Sequence, residues 1–329
     1  KTDAGSPSFT KQFLANHSHE VCQAIVKLRE FDKAGSTFIN TIKTHAHKGR
    51  IHAEFHQLRS DDGGTVTGRF SSSNPNLQQI PARDPEIKKM VRGLFIPEEG
   101  TKWGSFDYSS QEPRLLVHFA ASLGKRKHEM VDGIVEEYHN GDVDLHQMVA
   151  DFAGISRKEA KTVNLGIMYG MGKGKLANQL GVSLEEASDI LNTHKSKVPF
   201  VKDLADIASK QALDYGVIRT LLGRRCHFHL WEPKTMKEYG QPLRRAFTYK
   251  ALNKLIQGSA ADQTKKAMAD CYKEGLLPML TVHDELCFSV QDKNQAKKIK
   301  DIMENGLNDI LKVPSKVDDV LANNWGEVD

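Results

Sequence analysis

The chain has 329 residues, 39% hydrophobic and 27% charged, a balance that suits a folded globular protein and excludes an intrinsically disordered one. Forty-six Lys and Arg against 42 Asp and Glu give a formal net charge of +4, which admits a nucleic-acid partner without demanding one. No run of about 18 apolar residues and no secretory leader is found, so neither a membrane span nor export is expected. The first residue is Lys1, not Met, which reads as a fragment or a processed product. Cys22, Cys226, Cys271 and Cys287 form no CxxC pair and read as reduced thiols of a cytoplasmic protein.

In chain order, residues 9–48 carry spaced apolar positions (Phe13, Leu14, Val21, Ile25, Val26, Leu28) and are expected to be helical. Residues 51–58 alternate as a strand, and Asp61-Asp62-Gly63-Gly64 reads as a turn. The Ser-, Asn- and Pro-rich stretch 71–81 is expected to be an ordered loop. Residues 101–107 read as a short strand ending on an acid, followed by helix over about 115–123. Residues 144–190 are mostly helical with a break near Gly170 to Gly174, and 243–273 reads as another long helical stretch. Two short strands flank His283-Asp284-Glu285, and 294–311 closes the chain as an amphipathic helix. Strands toward both ends with a helical insertion between them predict an α+β fold, not a βαβ repeat.

Two acids stand out because each ends, or turns between, apolar strand-like segments: Asp107 in Phe106-Asp107-Tyr108 and Asp284 in Val282-His283-Asp284-Glu285. A carboxylate there is costly unless it is solvated, paired or bound to metal. Convergence of the two on a pair of Mg²⁺ ions is one reading, since carboxylates are the ligands hard Mg²⁺ prefers; two turn acids capping local backbone is the other. The helix from Arg157 is the third signal. Arg157, Lys161, Leu165 and Tyr169 are spaced by four, so each drifts about 40° from the last and all share one side. Two cations, an apolar residue and an aromatic ring in that order match the phosphates and base of a nucleoside triphosphate. A surface helix with a solvated Arg/Lys pair and a core Tyr matches the same pattern.

Together these segments resemble the family A (Pol I-like) DNA polymerases. Asp107-Tyr-Ser-Ser-Gln-Glu112-Pro-Arg114 looks like the family's motif A, Arg157 through Gly170 like motif B, and Val282-His283-Asp284-Glu285 like motif C. Thr67-Gly68-Arg69-Phe70, Asn74 through Pro81, Asp144-Leu145-His146, Leu222-Gly-Arg224-Arg225 and Asn253 through Asp262 follow the family's order. The resemblance runs from about residue 20 to the C-terminus. It implies a right-hand fold with an antiparallel palm sheet and helical fingers, the thumb largely missing. Residues 1–50 would be a residual thumb base, 51–113 the first part of the palm, 114–244 the fingers and 245–329 the second part of the palm. No room is left for full thumb helices or for a 3′–5′ exonuclease domain.

The resemblance also implies roles. Asp107 and Asp284 would ligate two Mg²⁺ ions, with Mn²⁺ as a substitute, and Glu285 would serve as an outer ligand or primer-end contact. Arg157, Lys161 and His146 would hold the dNTP triphosphate, with Lys161 also protonating the departing pyrophosphate. Leu165 and Tyr169 would face the nucleotide, Tyr169 as a stacking gate. Glu112 would exclude a ribose 2′-OH, and Ser109-Ser-Gln-Glu112 also reads as a capping box. Arg69, Gln78, Asn253, Gln257 and His283 would contact primer–template DNA. Arg224 and Arg225 read equally as phosphate contacts and as surface charges. The implied partners are DNA and dNTPs, with a processivity factor as a further one, and no membrane; a cytoplasmic monomer is expected.

Four features depart from the family's pattern. Pro113 and the Ser-Ser-Gln run look phage-like; Leu165 stands where relatives carry Phe or Tyr; and Tyr249 stands where an Arg is expected. A single-subunit RNA polymerase is the rival enzyme, against which Glu112 and the Asp284-Glu285 pair speak. A non-catalytic DNA-binding remnant is the rival from another class.

Overall fold

The computed structural model describes residues 5, 9–57, 65–82, 84–141, 143–234 and 242–328, so the turn expected at 61–64 lies outside the described residues. Helices α1 (Lys11–Ala15) and α2 (Glu20–Lys33) run into a π-helical stretch, Ala34–Ile39, and α3 (Asn40–His45), as the apolar spacing predicts. The strand expected over 51–58 is broken in two. A small hairpin pairs β1 (Ala46–His47) with β2 (Arg50–Ile51), and β3 (Glu54–His56) pairs with β4 (Ser71–Ser73). Helix α4 (Pro85–Arg92) starts on Asp84, whose carboxylate accepts from the Ile87 N–H, with Pro85 at the first helical position.

The central sheet is antiparallel throughout, in the order β10 (Leu280–Val282), β11 (Glu285–Val290), β5 (Lys102–Tyr108) and β12 (Val317–Ala322). Its period-2 alternation sorts the side chains cleanly. Phe106, Tyr108, Leu286, Phe288 and Val317 point to one face and pack with Cys271, Ile299 and Met303 of α12 (Ala251–Lys273) and α13 (Lys293–Asn305). Trp103, Cys287 and Ala322 point to the other, where they meet Ile87 and Val91 of α4 and Trp325. The sheet is therefore covered on both faces at its middle, and its polar residues collect at one end.

Between β5 and β10 lies the helical insertion: α5 (Gln111–Ala121), α6 (Met130–Asn140), α7 (Leu145–Ala153), α8 (Arg157–Met168), α9 (Lys173–Leu180), α10 (Leu184–Lys197) and α11 (Pro199–Tyr215). Leu116, Val117, Ile134, Val149, Met168, Phe200 and Ile256 make its core. Ser156 and Ser183 close full capping boxes with Glu159 and Glu186, which fixes where α8 and α10 begin. Hairpins β6 (Val217–Arg219)–β7 (Arg225–His227) and β8 (Trp231–Pro233)–β9 (Leu243–Arg245) follow.

Three boundaries differ from expectation. Residues 243–245 form β9, because pairing with β8 overrides the helix propensity of Leu-Arg-Arg. Helix α5 begins at Gln111, four residues early, and α13 stops at Asn305. Among the described residues no helix is long and apolar enough to cross a membrane. All four cysteines are free thiols.

His118 on α5 and His194 on α10 are buried, and burial pushes both rings down to about 4. A depressed folded-state value means that their contribution to stability is complete above pH about 6.5 and is lost as pH falls through about 4. Unfolding free energy should drop by on the order of 2 kcal/mol per ring across that window. His118→Gln, which keeps an acceptor for the Lys312 N–H, should flatten its share in urea melts taken at several pH values. An unchanged pH profile in that variant would remove His118 from the account.

Candidate active site

Register across the sheet builds the acidic end. Asp107 on β5 lies directly opposite Glu285 on β11 and Asp318 on β12, so three carboxylates stand in a row on one face. Asp284 joins them from the two-residue turn between β10 and β11, in which His283 adopts φ 58°. Burial, then the charges of Asp284, Glu285 and Asp318, raise the Asp107 carboxyl to about 7. Solvent nonetheless reaches Asp107, so neighbouring protein mass and open water both act on it. Glu285 leans back along the sheet, accepting hydrogen bonds from Ser105 Oγ and, at 3.3 Å, from Cys287 Sγ. Asp318 was not anticipated from the sequence, where it is one of an unremarked Asp pair.

Such a row calls for a cation. Among the described residues no three His, Cys, Asp or Glu side chains close a full metal cage. The donor set still fits Mg²⁺, which keeps several waters, takes substrate phosphates and needs only one or two carboxylates.

The side of α8 that carries Arg157, Lys161 and Leu165, with Tyr169 at its C-terminal cap, forms as the four-residue spacing predicts. Arg157 and Lys161 are exposed, while Leu165 and Tyr169 are half-buried against the helical core. Asp144 ties this helix to α7: its Oδ1 caps the N–H groups of His146 and Gln147, and its Oδ2 meets Arg157 Nε at 2.5 Å. Burial opposes the charged form of Asp144, but Arg157 and the two backbone donors win and hold its carboxyl below the usual range. His146 is buried beside Arg157 and Lys161.

Glu112, on α5, ties the segment that carries Arg69 to the end of α8. Its Oε1 accepts from Arg69 NH2 at 2.7 Å and its Oε2 from the Tyr169 hydroxyl at 2.9 Å. Gln257 on α12 also hydrogen-bonds Tyr169, and burial with the Glu112 charge pushes that phenol up to about 12. The capping-box reading of Glu112 does not hold. Ser110 caps α5 in the left-handed region (φ 51°) without a side-chain bond, because β5 turns sharply into the helix there. Pro113 sits in the first turn, where a missing N–H costs little.

Leu165 packs in the apolar cluster. On the polymerase reading that the resemblance implies, Leu165→Phe should change the ratio of dideoxy- to deoxynucleotide incorporation two- to tenfold, the worth of about one aromatic contact. Single-nucleotide extension reads this, and identical ratios would sink the idea. Tyr249 rests its ring on the Gly170 turn, where an added Cβ would come within 2.9 Å of it.

The remaining predicted contacts fall nearby. Asn253 lies one turn before Gln257 on α12, and Gln78 sits in a 3₁₀ turn packed beside β10, the strand that leads to the exposed His283. Arg224 and Arg225 part company. Arg224 points inward, with Nε 2.9 Å from Asp262 and NH2 bonded to the carbonyls of Thr67 (2.7 Å) and Gly258 (2.9 Å). Gly68, at φ 85°, makes room, since a Cβ there would meet the guanidinium at 2.6 Å. Arg225 is exposed and lines a cleft with His227, His229, Lys254 and Lys265. Lys254 covers the Phe228 ring at 4.1 Å and Lys265 the Phe70 ring at 4.6 Å. Sequence reading missed this basic, aromatic cleft because its members come from four separate segments.

Comparison with known proteins agrees with this geometry. The family described as DNA polymerase family A matches residues 1–327. The chain is 38% identical over 372 residues to a DNA-directed DNA polymerase of Pseudomonas phage M6, covering 99% of this chain and 54% of that one. It is 34% identical over 355 residues to DNA polymerase I of Rhizobium leguminosarum, covering 99% of this chain and 33% of that one. A solved structure, the POL domain of Pol1 from M. smegmatis in complex with DNA primer-template and dNTP, aligns with a TM-score of 0.80 at 29% identity, covering 99% of this chain and 57% of that one. Sheet, helical insertion and site thus define a right-hand polymerase fold. The chain belongs to DNA polymerase family A. It spans about half the length of the phage relative.

Proposed function

We propose that this chain carries the polymerising centre of a template-directed DNA polymerase, adding dNMPs to a primer 3′-OH with release of pyrophosphate. The observation that carries the reading is the row of carboxylates at the end of β5, followed along the chain by α5, whose Glu112 is hydrogen-bonded to Tyr169 at the end of the helix that exposes Arg157 and Lys161. In this reading residues 51–113 and 245–329 form the palm, 114–244 the fingers and 1–50 the base of a thumb.

Asp107 and Asp284 would hold two Mg²⁺ ions, or Mn²⁺, which when bound lower the pKa of the attacking hydroxyl and offset the charge on the leaving phosphates. The chain's own side chains do the rest. Arg157, Lys161 and His146 bind the triphosphate, and Lys161 can pass a proton to the pyrophosphate oxygen as the α-phosphate bond breaks. Tyr169 and Leu165 limit where the base and sugar sit. Arg69, Gln78, Asn253, Gln257 and His283 hold the primer–template pair near the insertion point. The cleft of Arg225, Lys254 and Lys265 supplies phosphate contacts, which position the duplex without reading its sequence. Catalysis then comes chiefly from positioning and charge neutralisation.

The test is primer extension on a short template with Mg²⁺ and dNTPs. Extension that requires the nucleotide complementary to the template supports the reading. Duplex binding without any extension would favour a DNA-binding remnant instead.

A further inference from the structure

Behind the nucleotide side of α8 runs a polar chain that the roles above leave unused. Asn164, between Lys161 and Leu165, donates from Nδ2 to the Leu145 carbonyl at 3.1 Å and reaches Nδ1 of His146 at 2.9 Å. Its Oδ1 lies 2.9 Å from Nε2 of His194 on α10. A backbone carbonyl can only accept, so Leu145 decides which end of the amide is the nitrogen. Everything else follows from that one carbonyl. Nδ1 of His146 faces an N–H and must accept, while Nε2 of His194 faces an oxygen and must donate. An uncharged imidazole that accepts at Nδ1 carries its proton on Nε2. Among the described residues no hydrogen bond to Nε2 of His146 is formed, which leaves that donor available.

We propose that Asn164 and His194 are positioning residues that hold His146 as a neutral imidazole with its proton on Nε2, so that it meets the nucleotide's phosphate oxygens as a directed donor and not as a third cation. The proposal rests on the reading of α7 and α8 as the triphosphate side. Asp144 from the start of α7, Arg157 and Lys161 from α8 and His194 from α10 are the charged or titratable groups facing the ring. Pro113 and Leu116 of α5 and Phe200 and Val201 of α11 close the cavity behind it with apolar surface. Burial, with Lys161 and Arg157, outweighs Asp144 and lowers the His146 ring, and burial alone lowers His194 to about 4. A doubly protonated His146 would turn an N–H against the Asn164 N–H, which the relay resists. With Arg157 and Lys161 already supplying charge, a neutral donor adds direction without another ion to desolvate.

The experiment is single-nucleotide primer extension by the natural chain and its variants, giving kcat and KM for the dNTP across the imidazole range of pH. Long-range ¹H–¹⁵N spectra of the His146 ring accompany it. His146→Ala should raise KM about tenfold with kcat within about twofold, the worth of one hydrogen bond to a charged acceptor. Asn164→Leu, similar in shape but without the donor, should raise KM about fivefold alone and add nothing in the His146→Ala background. A merely structural role for Asn164 would add in full. Asn164→Asp places an acceptor opposite Nδ1 and should make KM vary with pH as the ring gains its second proton. His194→Gln, whose amide still donates to Asn164, should stay nearer the natural chain than His194→Phe. A proton on Nδ1 of His146 in the natural chain, or full additivity of Asn164→Leu with His146→Ala, overturns the relay. An unchanged KM in His146→Ala overturns the nucleotide reading of His146 instead, and the ring spectra separate that failure from a failure of the relay.

Discussion

Asp107→Asn and Asp284→Asn should each cut templated extension by about a thousandfold or more, the scale on which a preorganised charge acts in a transition state. Asp107 stands at the centre of the carboxylate row, with Glu285 and Asp318 as its cross-strand partners and Asp284 in the adjacent turn. Asparagine keeps the shape and removes the charge that a divalent cation needs. The same change relieves repulsion among crowded acids, so Tm measured without divalent cation should hold or rise. Activity and stability then move in opposite directions. Added Mg²⁺ should raise the Tm of the natural chain and not that of the variants, because only a folded state that binds the ion is stabilised by it. Asp318→Asn, which removes a neighbour and not a proposed ligand, should stay within about tenfold of the natural rate, the smaller end of outer-shell effects. Rapid-mix extension assays separate these cases. Retention of a tenth of the natural rate in Asp107→Asn would shift the metal-holding role to another carboxylate in the row.

Removing the Glu112 side chain should bring the second-largest change, a loss of selectivity for deoxynucleotides over ribonucleotides. A 2′-hydroxyl forced against a fixed carboxylate costs on the scale of overpacking, about 1–3 kcal/mol, or roughly tenfold to a hundredfold in selectivity. The structure explains why the carboxylate is fixed: Arg69 and Tyr169 each hold one oxygen, and only 11% of the Glu112 side chain is exposed. Arg69→Ala should therefore lower selectivity in the same direction by a smaller factor, since Tyr169 remains. Tyr169→Phe removes the other anchor and should act similarly. The measurement is the ratio of kcat/KM for a matched dNTP and rNTP, and a ratio that Glu112→Ala leaves untouched would falsify the gate.

Much of this site can be read in the chain before folding, because its members sit where local rules are broken. Asp107 stands at the end of an apolar strand and Asp284 turns between two, and the four-residue spacing from Arg157 runs along α8 to Tyr169 at its C-terminal cap. Asp318 shows no such break; only the register of β12 against β5 puts it beside Asp107. His194 reads as one more polar residue on an amphipathic helix, and its meaning depends on Asn164, 30 positions away. The capping-box reading of Glu112 failed for a related reason: a local pattern lost to two long-range partners, Arg69 and Tyr169. Pairing with β8 likewise converts residues 243–245 from helix to strand, a contact that periodicity within the segment does not register.

The inward-turned Arg224 has a practical corollary for anyone recombining this chain with its relatives. One guanidinium fastens the Thr67–Gly68 corner, the β6–β7 hairpin and the middle of α12, segments that lie far apart along the gene. Crossover points that separate residue 224 from residue 262 leave an orphaned carboxylate in the interior unless the incoming sequence brings a matching cation. Any crossover that falls after residue 224 and before residue 262 would divide that pair. Grafts that exchange residues 65–70, 217–227 and 251–263 as one inherited set keep it whole, and that set is the natural unit of exchange in this half of the molecule.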